Sequence, residues 1–244
     1  MKIGIVGAGN VGSRLARKFC QAGHVVLLAN SRGPESIREK ADEIGVTAVE
    51  LKDALSDVDA VILSIPESKI LQLPKALFGR LATHVPVVDT GNYFPGFRDE
   101  PIAAIEAGMP ESQWVAAQLG RPVIKAFNSI MAISLDEEQR QGEPERIALP
   151  VAGDDTETKR KVMRLVNDVG FDYVDAGSLA ESWRQQPGTP AYCTNLNADS
   201  LRSALANANR DDAPRKRDLA LQWRKEAKQQ MTSDDIIKLY RSLF

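Results

Sequence analysis

Short apolar runs alternate along this chain with longer segments in which apolar residues recur every three or four positions, the pattern of strands alternating with amphipathic helices. The first run, Ile3-Gly4-Ile5-Val6, leads through Gly7-Ala8-Gly9-Asn10-Val11-Gly12 into a segment whose Val11, Leu15, Phe19 and Ala22 share one helical face, with Gly23 as its C-terminal cap. Further strands are predicted at 25–29, 46–49, 59–64, 86–89 and 122–127. Helical stretches fall at 34–43, 51–55, 102–107 and 111–118. The near-continuous apolar run at 59–64 marks a parallel strand covered on both faces. Six strands with intervening helices predict an α/β chain of Rossmann type: a doubly wound, mostly parallel sheet.

A seventh strand is expected at 147–152, placed toward a sheet edge by Pro150, which cannot donate to a ladder. A helix follows in which Val162, Leu165, Val166 and Val169 share a face; Asp154 and Glu157 stand at capping-box spacing before it. A last strand is expected at 171–175. From Ser178 onward the pattern is helical, with apolar spacing at Ala198, Leu201, Leu205 and Ala208, then Leu219, Trp223 and Met231, then Ile236, Leu239, Tyr240 and Leu243, the last set preceded by a Thr232/Asp235 capping box. The expected organisation is a nucleotide-binding domain over 1–178 and a small helical C-terminal extension over 179–244, which must dock on the first domain, on a second copy of the chain, or on both.

The glycine turn carries the first chemistry. A strand before it, a helix after it and a second strand about thirty residues along make G-x-G-x-x-G a dinucleotide signature rather than a chance glycine pattern. Gly7 permits the tight turn, Gly9 admits a pyrophosphate, Gly12 lets the helix pack closely, and Ala8, Asn10 and Val11 offer backbone groups at the helix N-terminus. After the second strand, where an NAD site places a carboxylate for the ribose hydroxyls, the chain has Asn30-Ser31-Arg32. A carboxylate would repel a 2'-phosphate; an amide, a hydroxyl and a guanidinium can bind one. The site reads as NADP(H)-binding.

Ligands of such sheets lie beyond the carboxyl ends of the strands. There the chain has Ser64-Ile65-Pro66, Asp89-Thr90-Gly91-Asn92-Tyr93 and Phe127-Asn128-Ser129-Ile130. Ile65 and Pro66 are expected against the nicotinamide face, and Thr90, Gly91 and Asn128 within hydrogen-bond reach of its carboxamide or ribose. No acid–base constellation accompanies them, and the catalytic residues stay unassigned. His24 and His84 precede strands, on the opposite side; Lys69, Tyr93, Lys125 and Tyr192 are the conceivable proton donors. A flavin-like acceptor would need mainly ring alignment, whereas a ketone or imine would need a positioned acid.

Composition narrows the partners. Thirty-one basic against thirty-three acidic residues give a net charge of −2, with no general attraction to nucleic acid or anionic membranes. No apolar run approaches a membrane span and no signal segment is seen, so a cytoplasmic protein is expected. Cys20 and Cys193, far apart, suggest neither disulfide nor metal cluster.

The 3–12 segment, Asn30-Ser31-Arg32, Lys125-Ala126-Phe127-Asn128-Ser129 and Val151-Ala152-Gly153-Asp154-Asp155 together resemble NADPH-dependent coenzyme F420 reductases, over about residues 1–180. The resemblance implies a Rossmann domain holding NADP(H), a hydride passed directly to or from a deazaflavin ring, no metal, and Ser31 and Arg32 on the 2'-phosphate. The chain departs from those enzymes at Asp89-Thr90-Gly91-Asn92-Tyr93-Phe94-Pro95 and at Tyr192-Cys193-Thr194-Asn195, toward a bacterial branch whose substrate is open. Three functions follow as expectations: an NADP(H)-dependent oxidoreductase acting on a small-molecule flavin- or deazaflavin-like acceptor (F420 or a flavin as co-substrate), a reductase of a small carbonyl or imine, or a non-catalytic NADP(H)-sensing module. A homodimer is expected.

Overall fold

The computed structural model describes residues 1–137, 143, 145–226 and 231–244. Its first half runs β1 (Lys2–Val6), α1 (Asn10–Gln21), β2 (Val25–Ala29), α2 (Arg38–Ile44), β3 (Thr47–Ala48), α3 (Leu51–Ala54), β4 (Ala60–Leu63), α4 (Glu67–Ile70), α5 (Lys75–Gly79), β5 (Val87–Asp89), α6 (Ala103–Glu106), α7 (Glu111–Leu119) and β6 (Ile124–Lys125). The six strands pair in parallel in the order β3-β2-β1-β4-β5-β6. Adjacent β1 and β4 mark the point where the order reverses, the crevice in which such sheets bind ligands.

Both faces of the sheet are covered because its strands are apolar on both. Ile3, Ile5, Ile62 and Val88 pack with Leu15, Ala16 and Phe19 of α1. Val6, Val61, Leu63 and Val87 pack in a second layer with Phe78 of α5 and with Trp114 and Val115 of α7. The helix-period reading of α1 holds for Leu15 and Phe19, both fully buried, and for Val11 in part, but Ala22 is exposed at the helix end.

Three differences from the sequence pattern concern the later strands. The run at 122–127 yields only the two residues of β6, because Phe127, at φ 61°, turns the chain out of the sheet and sets its ring edge-on to Phe19. β7 (Ala148–Val151) and β8 (Asp172–Asp175) pair with each other as a separate parallel ribbon, joined to β6 by one antiparallel bridge between Lys125 and Ala152. The side of β7 away from β8 is closed by the tail: Ala148 N donates to Leu196 O, and Pro150 O accepts from Gln185. The cap also moves by one residue. Asp155 accepts from Thr158 N to start α8 (Thr156–Asp168), while Asp154 accepts from Leu179 N and pins the next turn.

The tail has no strand among its described residues and carries a 3-10 turn over Leu179–Gln185, α9 (Ala198–Ala206), α10 (Ala213–Glu226) and α11 (Ser233–Arg241), joined by turns. Residues 227–230, between Trp223 and Met231, lie outside the described ones. Leu201, Ala204 and Leu205 of α9 pack on Ala148 and Val174 of the ribbon. The capping box of Thr232 and Asp235 starts α11, whose Ile236 and Tyr240 dock with Leu243 on Phe94, Met131, Tyr192 and Cys193 of the same chain. Arg241 completes the docking by donating to the carbonyls of Thr194 and Asn195.

Phe19 touches both the sheet and Phe127, so Phe19→Ala is expected to cost about 3–5 kcal/mol in urea unfolding. Phe97→Ala, at a side chain 64% exposed, is expected to stay within about 0.5 kcal/mol.

Candidate dinucleotide and acceptor site

The turn between β1 and α1 is built from what glycine lacks. Gly7 has φ 114° and donates its N–H to Ala29 O at 2.8 Å; a Cβ on it would stand 2.1 Å from Ser64 O. A Cβ on Gly12 would stand 1.9 Å from Gly7 O, so α1 can rest on the turn only with glycine there. Gly9 differs: a Cβ would meet nothing within 4 Å. As N-cap, Gly9 brings no capping side chain, and the N–H groups of Asn10, Val11 and Gly12 find no partner among the described residues. An open space faced by free donors at a helix N-terminus, with no acidic residue in the first turn, fits a phosphate.

Asn30 is bonded within its own turn. Its Oδ1 accepts from Arg32 N at 3.1 Å and its Nδ2 donates to Ser36 Oγ at 2.8 Å, so the amide shapes the turn after β2. Ser31 and Arg32 are exposed, and their side chains have no partner among the described residues. Neighbouring Arg38 is held by Glu35. A cation missed by the sequence reading stands close by: Lys40 Nζ, on α2, donates to Ala8 O at 3.3 Å. Nothing in the linear pattern distinguished Lys40 from any solvated helix lysine; the packing of α2 beside the glycine turn does.

Ser64, Ile65 and Pro66 follow β4, and Ser64 O and Ile65 Cγ2 lie against Gly7. Thr90 donates its hydroxyl to Leu63 O at 2.9 Å. The Asn128 amide is fully committed: Nδ2 donates to Asn92 Oδ1 (3.0 Å) and Gln185 O (2.8 Å), and Oδ1 accepts from Gln185 Nε2 at 2.9 Å. The side chains of Thr90 and Asn128 therefore hold the strand-end frame together.

Beneath that frame lies a buried charge cluster. Lys125 is fully buried; its Nζ donates to Asp89 Oδ2 (3.1 Å) and Gly91 O (2.7 Å) and stands 3.6 Å from Glu111. Asp89 also accepts from Ser112 Oγ at 2.5 Å and Gly91 N at 2.9 Å. Glu67, equally buried, pairs with Arg98 at 3.0 Å and packs so tightly under Gly91 that a Cβ there would meet it at 2.3 Å. Burial pushes the Glu67 carboxyl well above its ordinary range and the Glu111 carboxyl up to about 7. Burial also weakens the Lys125 ammonium, but Asp89, Glu111 and Glu67 outweigh that and raise its pKa.

This geometry leaves one of the four proton-donor candidates in the cleft. Lys125 is a buried, charged strut, and Tyr93 is buried with its hydroxyl donating to Glu106 (2.7 Å) and accepting from Ile102 N (2.9 Å), its pKa pushed up to about 12 by burial. Lys69 is exposed on α4. Only Tyr192 lines the cleft.

That cleft, about 360 Å³, runs from Asn10, Val11 and Arg14 of α1 past Thr90, Asn92 and Asn128 to the loop of Ile130, Met131 and Ile133. Its far wall is the tail: Tyr192, Cys193, Arg224, Ile236 and Tyr240. Cys193, at φ 54°, is tied down by its N–H donating to Ser129 O (2.8 Å), and the rings of Tyr192 and Tyr240 meet edge to face at 5.3 Å. Burial raises the Tyr192 hydroxyl well above its ordinary range and pushes Cys193 and Tyr240 up to about 12, so all three are neutral at neutral pH. Among the described residues, no aspartate, glutamate or histidine lines the cleft. His24 stands beside Asp168 and the N-terminus. His84 lines a larger hollow of about 550 Å³ with Asp57 and Arg80, at the amino ends of β4 and β5 and away from the glycine turn. Among the described residues there is no metal-ligating group of three or more side chains, and no helix long and apolar enough to cross a membrane.

Fold and turn together define a Rossmann-type dinucleotide-binding protein. Residues 2–93 match the family described as NADP oxidoreductase, coenzyme F420-dependent. The solved Sinorhizobium meliloti protein SMa0349 is 34% identical, with a TM-score of 0.69 over 82% of this chain and 96% of that one. The F420-dependent NADP reductase of Methanocaldococcus jannaschii is 27% identical over 206 residues, 75% of this chain and 86% of the relative. The Escherichia coli protein YjhV is 46% identical over 72 residues; that match spans 30% of this chain and about half, 53%, of the relative. Over residues 2–93 the chain belongs to the NADP oxidoreductase, coenzyme F420-dependent family.

Removing Lys125 would strand buried carboxylates, so Lys125→Met is expected to destabilise by about 3–5 kcal/mol in chemical unfolding. Glu111 titrates near 7 when folded against 4.5 for the ordinary group. The stability tied to its neutral form is complete below about pH 4.5 and is lost as pH rises through about 7. Urea unfolding at pH 5 and pH 8 is expected to show the wild type losing stability relative to Glu111→Gln; a parallel pair of curves would contradict this.

Proposed function

We propose that the chain is an NADP(H)-dependent oxidoreductase that exchanges a hydride between the nicotinamide and a planar flavin- or deazaflavin-like acceptor, of F420 type, held between the strand ends and the tail. In this reading the backbone from Gly7 to Gly12 takes the pyrophosphate. Ser31 and Arg32 take the 2'-phosphate with Lys40 alongside, and Ile65, Pro66, Thr90, Gly91 and the Asn92–Asn128 pair frame the nicotinamide. Bound NADPH supplies the hydride and its electron pair; the residues of the chain bind, orient and keep water away.

The observation that carries the acceptor class is the chemistry of the cleft wall. Reduction of a ketone or imine calls for a donor whose pKa lies near the working pH. Tyr192, Cys193 and Tyr240, the ionisable groups of that wall besides the arginines, are all pushed upward by burial. A ring system that carries its own proton-accepting atoms needs alignment instead, and the Tyr192, Met131 and Ile236 surface offers an apolar bed for it.

Equilibrium titration is expected to show NADPH binding at least tenfold tighter than NADH. Arg32→Ala should lose about 1.5–3 kcal/mol of NADPH affinity, roughly ten- to a hundred-fold, with NADH unchanged. Equal affinities for the two nucleotides would refute the 2'-phosphate assignment. Stopped-flow NADPH oxidation with F420, FMN and FAD checks the acceptor; no oxidation with any of them would remove that half of the reading.

A further inference from the structure

One arginine of the cleft has no acidic partner among the described residues. Among the described residues, two arginines and no carboxylate line the cleft. Arg14 is neutralised: its Nε donates to Asp136 at 2.7 Å, and the same carboxylate lies 3.8 Å from Arg17. On α10 the other cations of the first turns are likewise paired, Arg215 and Lys216 with Asp212 and Arg217 with Asp218. Arg224 is different. It has no acidic partner among the described residues, and its interactions are with the Tyr240 hydroxyl and, at longer range, the Cys193 thiol.

A lone arginine on a helix is ordinarily just solvated. This one stands where α10 meets the cleft, with the apolar surface of Met131, Ile236, Tyr192 and Tyr240 beside it. Arg224 is exposed at the mouth of the cleft, and its guanidinium presents a planar fork suited to an oxyanion. The neutral Tyr240 and Cys193 leave its charge uncompensated.

We propose that Arg224 is a specificity residue for the second substrate, selecting acceptors that pair a planar apolar body with a carboxylate or phosphate. The proposal rests on the oxidoreductase reading above, because the cleft is taken as the acceptor site. The planar body lies on Met131, Ile236 and Tyr192, and the anion meets Arg224 at the rim.

The test uses the full chain saturated with NADP+ and two pairs of probes that differ in charge: FMN against riboflavin for a phosphate, and benzoate against benzamide for a carboxylate. Calorimetric titration is expected to show the charged member binding at least tenfold tighter in one pair or both, and the pair that responds identifies the anion. Arg224→Gln should erase the preference while leaving the uncharged probe and NADPH affinity as they were, and Arg224→Lys should keep part of it. The inference is overturned if neither charged probe binds, if charged and uncharged probes bind alike, or if Arg224→Gln retains the preference. Repeating the titrations on nucleotide-free protein separates the two readings: lost NADPH binding with the anion preference intact would strike the dinucleotide assignment and spare Arg224.

Discussion

Where β1 hands over to α1, the absence of two side chains lets three backbone segments touch. Gly7 lies against the carbonyl of Ser64 at the end of β4, and Gly12 lies against the carbonyl of Gly7. The contacts fix how close α1 comes to the sheet and aim its first N–H groups into the crevice between β1 and β4, where the strand order reverses. Any Cβ at either position would push the helix off the turn. Gly9, between them, has room for a side chain and none is there, which separates the glycines that build the turn from the one that leaves space for a ligand.

The second constraint is electrostatic and lies one layer down. Burying an ammonium and several carboxyl groups is costly unless they satisfy one another, and here Lys125 bridges Asp89 and the carbonyl of Gly91 while Glu67 and Glu111 are displaced toward their neutral forms. The arrangement holds the Thr90–Gly91–Asn92 turn in place from below. From above, Asn128 bonds both Asn92 and Gln185, so the tail is bonded to the strand ends that form the cleft floor. The tail wall and the strand-end floor of the cleft are thus parts of one hydrogen-bonded frame.

Much of this could be read from the linear pattern, and the reasons for the remainder are physical. The parallel strands announced themselves as apolar runs, the glycine turn by its flanks, and α11 by its capping box. The detachment of β7 and β8 could not be read, because a run such as 147–152 states that a strand forms and not which strand it joins. Asp154 and Asp155 offer equivalent caps in sequence, and only the approach of Leu179 assigns them separate partners. Asn30 and Asn128, read as ligand-facing amides, are also bonded within the chain, Asn30 to its own turn and Asn128 to Asn92 and Gln185. Lys125 did carry a signal, a lysine inside an otherwise apolar strand, which favours a buried ion pair over a proton donor. Lys40 and Arg224 carried none, since what sets them apart is the surface each one reaches.

The central claim is that the space beside Gly9 is reserved for the pyrophosphate of a dinucleotide. Gly9 has φ −76°, a conformation open to any residue, and nothing lies within 4 Å of its Cβ position, so Gly9→Val can fold without strain. Measuring thermal unfolding and NADPH affinity on the same preparation tests the claim directly. The account predicts an unchanged Tm with NADPH binding weakened at least tenfold; full NADPH affinity in a folded Gly9→Val protein would contradict it.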